Sequence, residues 1–142
     1  MKDNLTLHIG RAIEISRRAY VPYSSYHVGA VLVSADGSQV FTGCNVENAS
    51  YPACICAERT ALVKAVSEGV QDFSGIVVAT LNGGSPCGIC RQMLFEFSPT
   101  MQVVCVTFEG DITIDTTLDK LLLHGFASQN AQQRARYIMP VC

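Results

Sequence analysis

The chain is poorest in clustered positive charge. Ten Lys and Arg against twelve Asp and Glu leave a formal charge of -2 over 142 residues, and the pI lies near 5.8. Phosphate backbones are held by grouped Lys and Arg, so a general affinity for nucleic acid is excluded. Long apolar runs are missing too. No stretch approaches the roughly 18 apolar residues of a membrane span, and Met1 to His8 has no apolar signal core. These absences predict a cytoplasmic protein that works away from membranes. The seven cysteines are an odd number, which argues against a disulfide framework. Internal repeats and low-complexity tracts are absent, which leaves one domain large enough to bury a sizeable core.

What is present alternates between helical and strand patterns. Apolar positions at Leu5, Ile9, Ala12, Ile13 and Tyr20 predict a helix over residues 4–20, with Pro22 ending the run. Residues 28–33 and 40–44 read as strands joined by the hairpin signal Ala35-Asp36-Gly37-Ser38. A helix over 56–69 closed by Gly69, a buried strand over 76–81 and a second helix over 87–97 before Pro99 follow. Residues 103–108 and 112–114 are strands separated only by Glu109-Gly110-Asp111. Parallel neighbours need a crossover of about a dozen residues, so these last two strands are expected to be antiparallel. A short helix near 117–124 completes a domain over residues 1–127, and residues 128–142 read as a polar tail.

The chemistry is concentrated in Cys56-Ala57-Glu58 and, further on, Pro86-Cys87-Gly88-Ile89-Cys90. Three thiols can hold one zinc and leave a tetrahedral position open, and an open position is where water is activated. Glu58 follows Cys56 in what reads as a first helical turn, placed to move protons without being a ligand. Pro86 is a helix-start signal, so both halves of the site are expected at helix N-termini, where unpaired N–H groups favour thiolate over thiol. Three thiolates leave the site net negative, and Arg59 is the cation expected to hydrogen-bond the sulfurs. Arg91 is a second candidate for that task, or else a partner in a salt bridge elsewhere.

Plainer readings exist for several of these residues. Cys87-x-x-Cys90 alone suits a redox pair or a structural zinc half-site, and Cys54 is a possible fourth thiolate that would close the site. Cys44 and Cys105 read as small core residues, and Cys142 as an exposed thiol in the tail. His8, His27 and His124 have no ligand spacing with the thiols. Tyr20 and Tyr23 read as packing residues, Arg134 and Arg136 as a solvated pair. Asn45 and Glu47 alternate on a strand end and therefore face the same way, where an amide and a carboxylate suit sugar hydroxyls; the plain alternative is turn and strand-edge residues.

The spacing around Cys56, Glu58, Cys87 and Cys90 resembles the zinc-dependent deaminases that act on nucleobases. Tyr20-Val21-Pro22-Tyr23-Ser24 with Val28-Gly29-Ala30, the run Gly43 to Tyr51, the run Cys56 to Ala61, the run Ser85 to Gln92, and Leu121-Leu122 with Phe126 are similar to the small cytidine deaminases over residues 11–127. The resemblance implies an α/β, three-layer α-β-α fold around a five-stranded mixed sheet, and hydrolysis of cytidine and 2′-deoxycytidine to the uridine products and ammonia. It implies one Zn²⁺ per chain on Cys56, Cys87 and Cys90, Glu58 as proton carrier, and Arg59 behind the sulfurs. It also implies Asn45 and Glu47 on the ribose, Tyr26 in the place of a stacking phenylalanine, and backbone groups of Ala57 and Ser85 at the pyrimidine edge. Phe126 would enter a neighbour's site in a homotetramer, although Leu123-His124-Gly125 departs from the family's usual residues. The tight 109–111 connection matches the branch that takes free nucleosides and not polynucleotides. A deaminase of a modified cytosine nucleoside, N4-substituted or of blasticidin type, and a non-catalytic zinc module are the alternatives.

Overall fold

The computed structural model describes Met1 and residues 4–126. The tail expected over 128–142, with Arg134, Arg136 and Cys142, lies outside the described residues. In chain order the elements are α1 (Leu5–Ser16), β1 (Val28–Ser34), β2 (Val40–Cys44), a 3₁₀ turn (Tyr51–Ala53), α2 (Ala57–Ser67), β3 (Phe73–Thr80), α3 (Gly88–Phe97), β4 (Gln102–Val106), β5 (Ile112–Thr117) and α4 (Leu118–Leu121).

Five strands form one sheet in the order β2-β1-β3-β4-β5. β1 runs antiparallel to β2 and to β3. β3 and β4 are parallel, with α3 as their crossover. β5 returns antiparallel to β4, as the short connection requires. The central strands are apolar on both faces because both are covered. Ala30, Leu32, Ile76, Val78, Val103 and Cys105 point into a core with α2 and α3. Their neighbours Val31, Val33, Val77, Ala79, Val104 and Val106 point into a second core with α1. The result is the three-layer α-β-α arrangement the sequence predicts.

Two strand glycines set how closely the layers approach. A Cβ on Gly29 would stand 2.0 Å from the Ala12 carbonyl oxygen on α1, and one on Gly43 would stand 2.4 Å from the Ala57 carbonyl oxygen on α2. No side chain fits either place, so both helices lie directly on backbone. On α2 the facing stripe is Ala57, Ala61 and Ala65, small residues that complete the close contact. Gly43 thereby presses the first turn of α2, and the Cys56 that precedes it, against β2.

Element boundaries shift in one instructive place. The helix expected to run to residue 20 ends at Ser16. Arg17, Arg18 and Ala19 close it with tighter i to i−3 bonds, and Tyr20 leaves to bridge Val46. Tyr20 is 58% exposed, so its ring is not part of the α1 core. No helix among the described residues is long and apolar enough to cross a membrane.

Candidate active site and metal centre

Cys56 is the N-cap of α2, and Cys87 is the N-cap of α3, with extended backbones at both positions and no side-chain capping bond at either. The two helix starts therefore keep unpaired N–H groups and turn free sulfurs toward each other. Cys90 comes from the first turn of α3. Cys56 Sγ lies 3.9 Å from Cys87 Sγ, Cys87 Sγ lies 3.5 Å from Cys90 Sγ, and all three fall within 4.8 Å of one another. Zn–S bonds of about 2.3 Å set at tetrahedral angles separate sulfurs by about 3.8 Å. The donor set and spacing fit zinc.

Among the described residues no fourth ligand joins this group. Cys54 is engaged with Asn48, accepting from its N–H at 3.3 Å and donating to its carbonyl at 3.7 Å. His27 contacts the Ser16 carbonyl at 3.1 Å, and His8 is buried under α1, so neither histidine is a ligand. Cys105 is a core residue whose thiol burial pushes up to about 12.

Electrostatics single out the same cluster. The Cys56 thiol is held down to about 5, first by the Cys90 S–H directed at it and further by the Arg59 guanidinium. The same contact pushes the Cys90 thiol well above its ordinary range. Arg59 Nη2 reaches Cys56 Sγ at 4.0 Å and the Cys54 carbonyl at 3.0 Å, which is the placement expected of a cation behind the sulfurs. Among the described residues, the hydrogen bonds of Arg91 reach neither a sulfur nor a carboxylate. It donates to the Pro86 carbonyl at 2.7 Å, the Leu121 carbonyl at 2.8 Å and Ser85 Oγ at 2.7 Å, and so braces the approach to Cys87. The guanidinium fork matches three acceptors supplied by two segments, the adjacent Ser85 and Pro86 and the distant Leu121.

Glu58 lies on the buried stripe of α2 and is only 4% exposed. Acidic side chains are rarely buried without a task. Burial, with the Cys56 thiolate adding to it, pushes its carboxyl up to about 7, where it can both accept and release a proton.

A cleft of about 380 Å³ opens over these groups. Cys56, Cys87 and Glu58 line one part; Tyr26, Asn45, Glu47 and Ser85 line the rest. Asn45 and Glu47 flank Val46, which bridges Tyr20 and Ile55 beyond the end of β2. Both side chains also bind neighbouring backbone. Asn45 Oδ1 accepts from Val28 N–H at 2.8 Å, and its Nδ2 donates to the Tyr26 carbonyl at 2.8 Å. Glu47 Oε2 accepts from Tyr23 and Ser24 N–H at 2.9 and 3.2 Å, and the Ser24 hydroxyl donates to Oε1. The Ser24 bond is the main reason its pKa lies below the usual carboxylate value. An ionised carboxylate offers about four acceptor sites and an amide two N–H donors, so each keeps capacity toward the cleft.

Ala57, expected at the pyrimidine edge, is fully buried and is not among the residues that line the cleft. Phe126 stands away from the cleft, 82% exposed, with its carbonyl bound by Gln92. Sequence reasoning gave no role to Ser24 or Thr80, which also line the cleft. Ser24 is paired with Glu47, 23 residues on, and Thr80 with Asn82 and Gly84 in the loop that follows it; neither pairing leaves a mark in the pattern of residue types.

Residues 2–107 match the family model for the cytidine and deoxycytidylate deaminase zinc-binding region. A cytidine deaminase of Sporosarcina psychrophila is 42% identical over 130 residues, covering 89% of this chain and 94% of that protein. One from Halalkalibacterium halodurans is 45% identical over 125 residues, covering 86% and 93%. The crystal structure of cytidine deaminase from Burkholderia pseudomallei superposes with a TM-score of 0.80 at 44% identity, covering 85% of this chain and 98% of that one.

Proposed function

The chain belongs to the cytidine deaminase family, and from that premise we propose that it hydrolyses cytidine and 2′-deoxycytidine to uridine and 2′-deoxyuridine with release of ammonia. The observation that carries this reading is the buried Glu58 carboxyl beside three converging thiols at the floor of a nucleoside-sized cleft. Cys56, Cys87 and Cys90 hold the zinc. When bound, the metal supplies a Lewis acid that brings the pKa of a coordinated water to about 7.

Everything else is done by the chain. The Glu58 carboxylate takes the proton that the water gives up. It delivers that proton to N3 of the pyrimidine, which makes C4 electrophilic enough to bond the water's oxygen, and then carries that oxygen's remaining proton to the departing amino group. One water is consumed, the C4–N bond breaks, and the nitrogen leaves as ammonia. Arg59 keeps the sulfurs in their thiolate form. Asn45 and Glu47 receive the sugar hydroxyls with the donor and acceptor capacity their loop bonds leave free. The Tyr26 ring packs by the base, while backbone groups at Ala57 and Ser85 meet the pyrimidine edge.

The exposed Phe126 supports a homotetramer with sites at subunit interfaces. A domain this small leaves its cleft open, and excluding water strengthens the electrostatics inside. A ring that projects from one subunit without touching its own cleft is suited to closing a neighbour's. Action in the cytoplasm on a free nucleoside fits a sequence without clustered basic charge and with no helix among the described residues long and apolar enough to cross a membrane.

Incubating the zinc-loaded protein with a panel of cytosine nucleosides, including N4-substituted forms, tests the reading by ammonia release. Cytidine and deoxycytidine are expected to turn over; release only from the substituted forms would move the assignment to a modified nucleoside. Light scattering beside the kinetics of Phe126→Ala tests assembly. A fully active monomer, or an alanine variant with unchanged KM and kcat, overturns the shared site.

A further inference from the structure

Between the end of β3 at Thr80 and Pro86 the chain runs through Leu81, Asn82, Gly83, Gly84 and Ser85 without regular structure. Two adjacent glycines would leave such a segment loose. Side chains from several elements hold it. The Thr113 hydroxyl on β5 donates to the Gly83 carbonyl at 2.7 Å, Gly84 N–H donates to Thr80 Oγ1 at 2.8 Å, and Arg91 on α3 holds Ser85 Oγ and Pro86 O. The remaining bond comes from the loop that leads into β1, next to this segment in the antiparallel register Val28↔Thr80. The Tyr26 hydroxyl donates to Asn82 Oδ1 at 2.6 Å, across 56 residues of sequence, and Thr80 Oγ1 approaches the same oxygen at 3.3 Å.

Tyr26 belongs to the loop that Glu47 and Asn45 hold: Ser24 Oγ accepts from Tyr26 N–H at 3.0 Å, and the Tyr26 carbonyl accepts from Asn45. Its hydroxyl therefore joins the wall of the cleft that carries Asn45 and Glu47 to the wall that carries Ser85 and leads into Cys87. A phenylalanine would keep the ring and lose the joint.

We propose that Tyr26, through its hydroxyl, is a positioning residue: by holding Asn82 it keeps the 82–85 segment, and with it the Ser85 backbone, in the arrangement that receives the pyrimidine edge. The proposal rests on the deaminase reading for its substrate, but the latch itself is a property of the free protein. Without the bond the segment spends less time in the competent arrangement, and apparent affinity falls by that fraction. Once substrate is bound, the reacting groups are unchanged.

Tyr26→Phe, Asn82→Ala and the double variant are compared as zinc-loaded full-length protein, for cytidine KM and kcat and for amide hydrogen exchange of residues 82–85. Each single variant is expected to raise KM about three- to tenfold, the effect of one lost hydrogen bond, with kcat held within about twofold. The double variant should be no worse than either single, because both remove one interaction. Gly84 N–H should exchange faster in all three while the amides of β3 keep their protection. Asn82→Asp retains the acceptor and should recover most of the KM. Wild-type KM and wild-type Gly84 exchange in Tyr26→Phe would overturn the proposal, as would additive effects or a loss confined to kcat. Should the wild-type protein fail to deaminate cytidine, the substrate reading falls, and Gly84 exchange alone decides the latch.

Discussion

The two halves of the cleft are built by different means. The half with Cys56, Glu58, Cys87 and Cys90 sits on two helix N-termini anchored in the core under α2 and α3. Its geometry follows from helical periodicity and capping, over a few residues of chain. The half with Tyr26, Asn45 and Glu47 lies beyond the ends of β1 and β2, where the backbone is tied only by isolated bridges of Val46 with Tyr20 and Ile55. Hydrogen bonds between residues 17 to 24 positions apart hold its loops together. The lesson is that the groups proposed to react rest on rigid elements, while the groups proposed to recognise the sugar are also the struts of their own loops. A change to Glu47 is then a change to the loop as well as to the substrate contact.

Substitutions in the two halves should separate accordingly, and the thiols give the largest effect. Cys87→Ala is expected to lose zinc together with all measurable turnover, because two thiolates cannot hold the metal in a site built for three. Metal analysis decides it, and full zinc retention would transfer the ligand role to another residue such as Cys54. Next comes Glu58→Gln, which should retain fold and zinc but lose about 10²- to 10⁴-fold in kcat, since an amide cannot carry a proton. A variant within about tenfold of wild type removes Glu58 from the chemistry.

Glu47→Gln sharpens the comparison from the other side. Its amide would set N–H groups against the donors of Tyr23 and Ser24, so KM should rise about 10- to 100-fold with a smaller change in kcat. The loss of loop struts should also lower Tm, which no change of a purely substrate-facing group would do. Because the folded pKa of Glu47 lies below its ordinary value of 4.5, the unfolded chain binds the proton first. The stabilisation is therefore present above about pH 4.5 and is lost as pH falls through the folded pKa. The Tm gap between wild type and Glu47→Gln should accordingly be widest near neutrality and narrow below that pH. A gap independent of pH would show that the carboxylate charge is not what holds the loop.

How much of this was legible in the chain depends on the distance over which each feature is decided. The thiol cluster and the buried acid could be read because Cys-x-Glu and Pro-Cys-x-x-Cys place their groups within a single helical turn of a cap. The sheet followed from short, nearly continuous apolar runs bounded by turn signals, and β5 turned back because the connection after β4 is too short for a crossover. The bonds of Arg91 were not legible because each of its three acceptors is a backbone or hydroxyl oxygen, which leaves no mark on residue type. Tyr20 looked helical because its spacing fits α1; the bridge to Val46 competes for its backbone and takes it.

The sequence by itself determined the elements, the ligand set and the chemistry those ligands imply, since period, capping and ligand spacing are local properties. Only the tertiary structure decided that Asn45 and Glu47 share their hydrogen-bonding capacity with the loop they brace, that Tyr26 bonds Asn82 beyond the paired ends of β1 and β3, and that Phe126 stays exposed and does not line its own cleft. Those outcomes depend on where loops distant in the chain meet once Gly29 and Gly43 have let α1 and α2 settle onto the two faces of the sheet, and no residue pattern encodes the direction of a hydrogen bond between segments that only packing brings together.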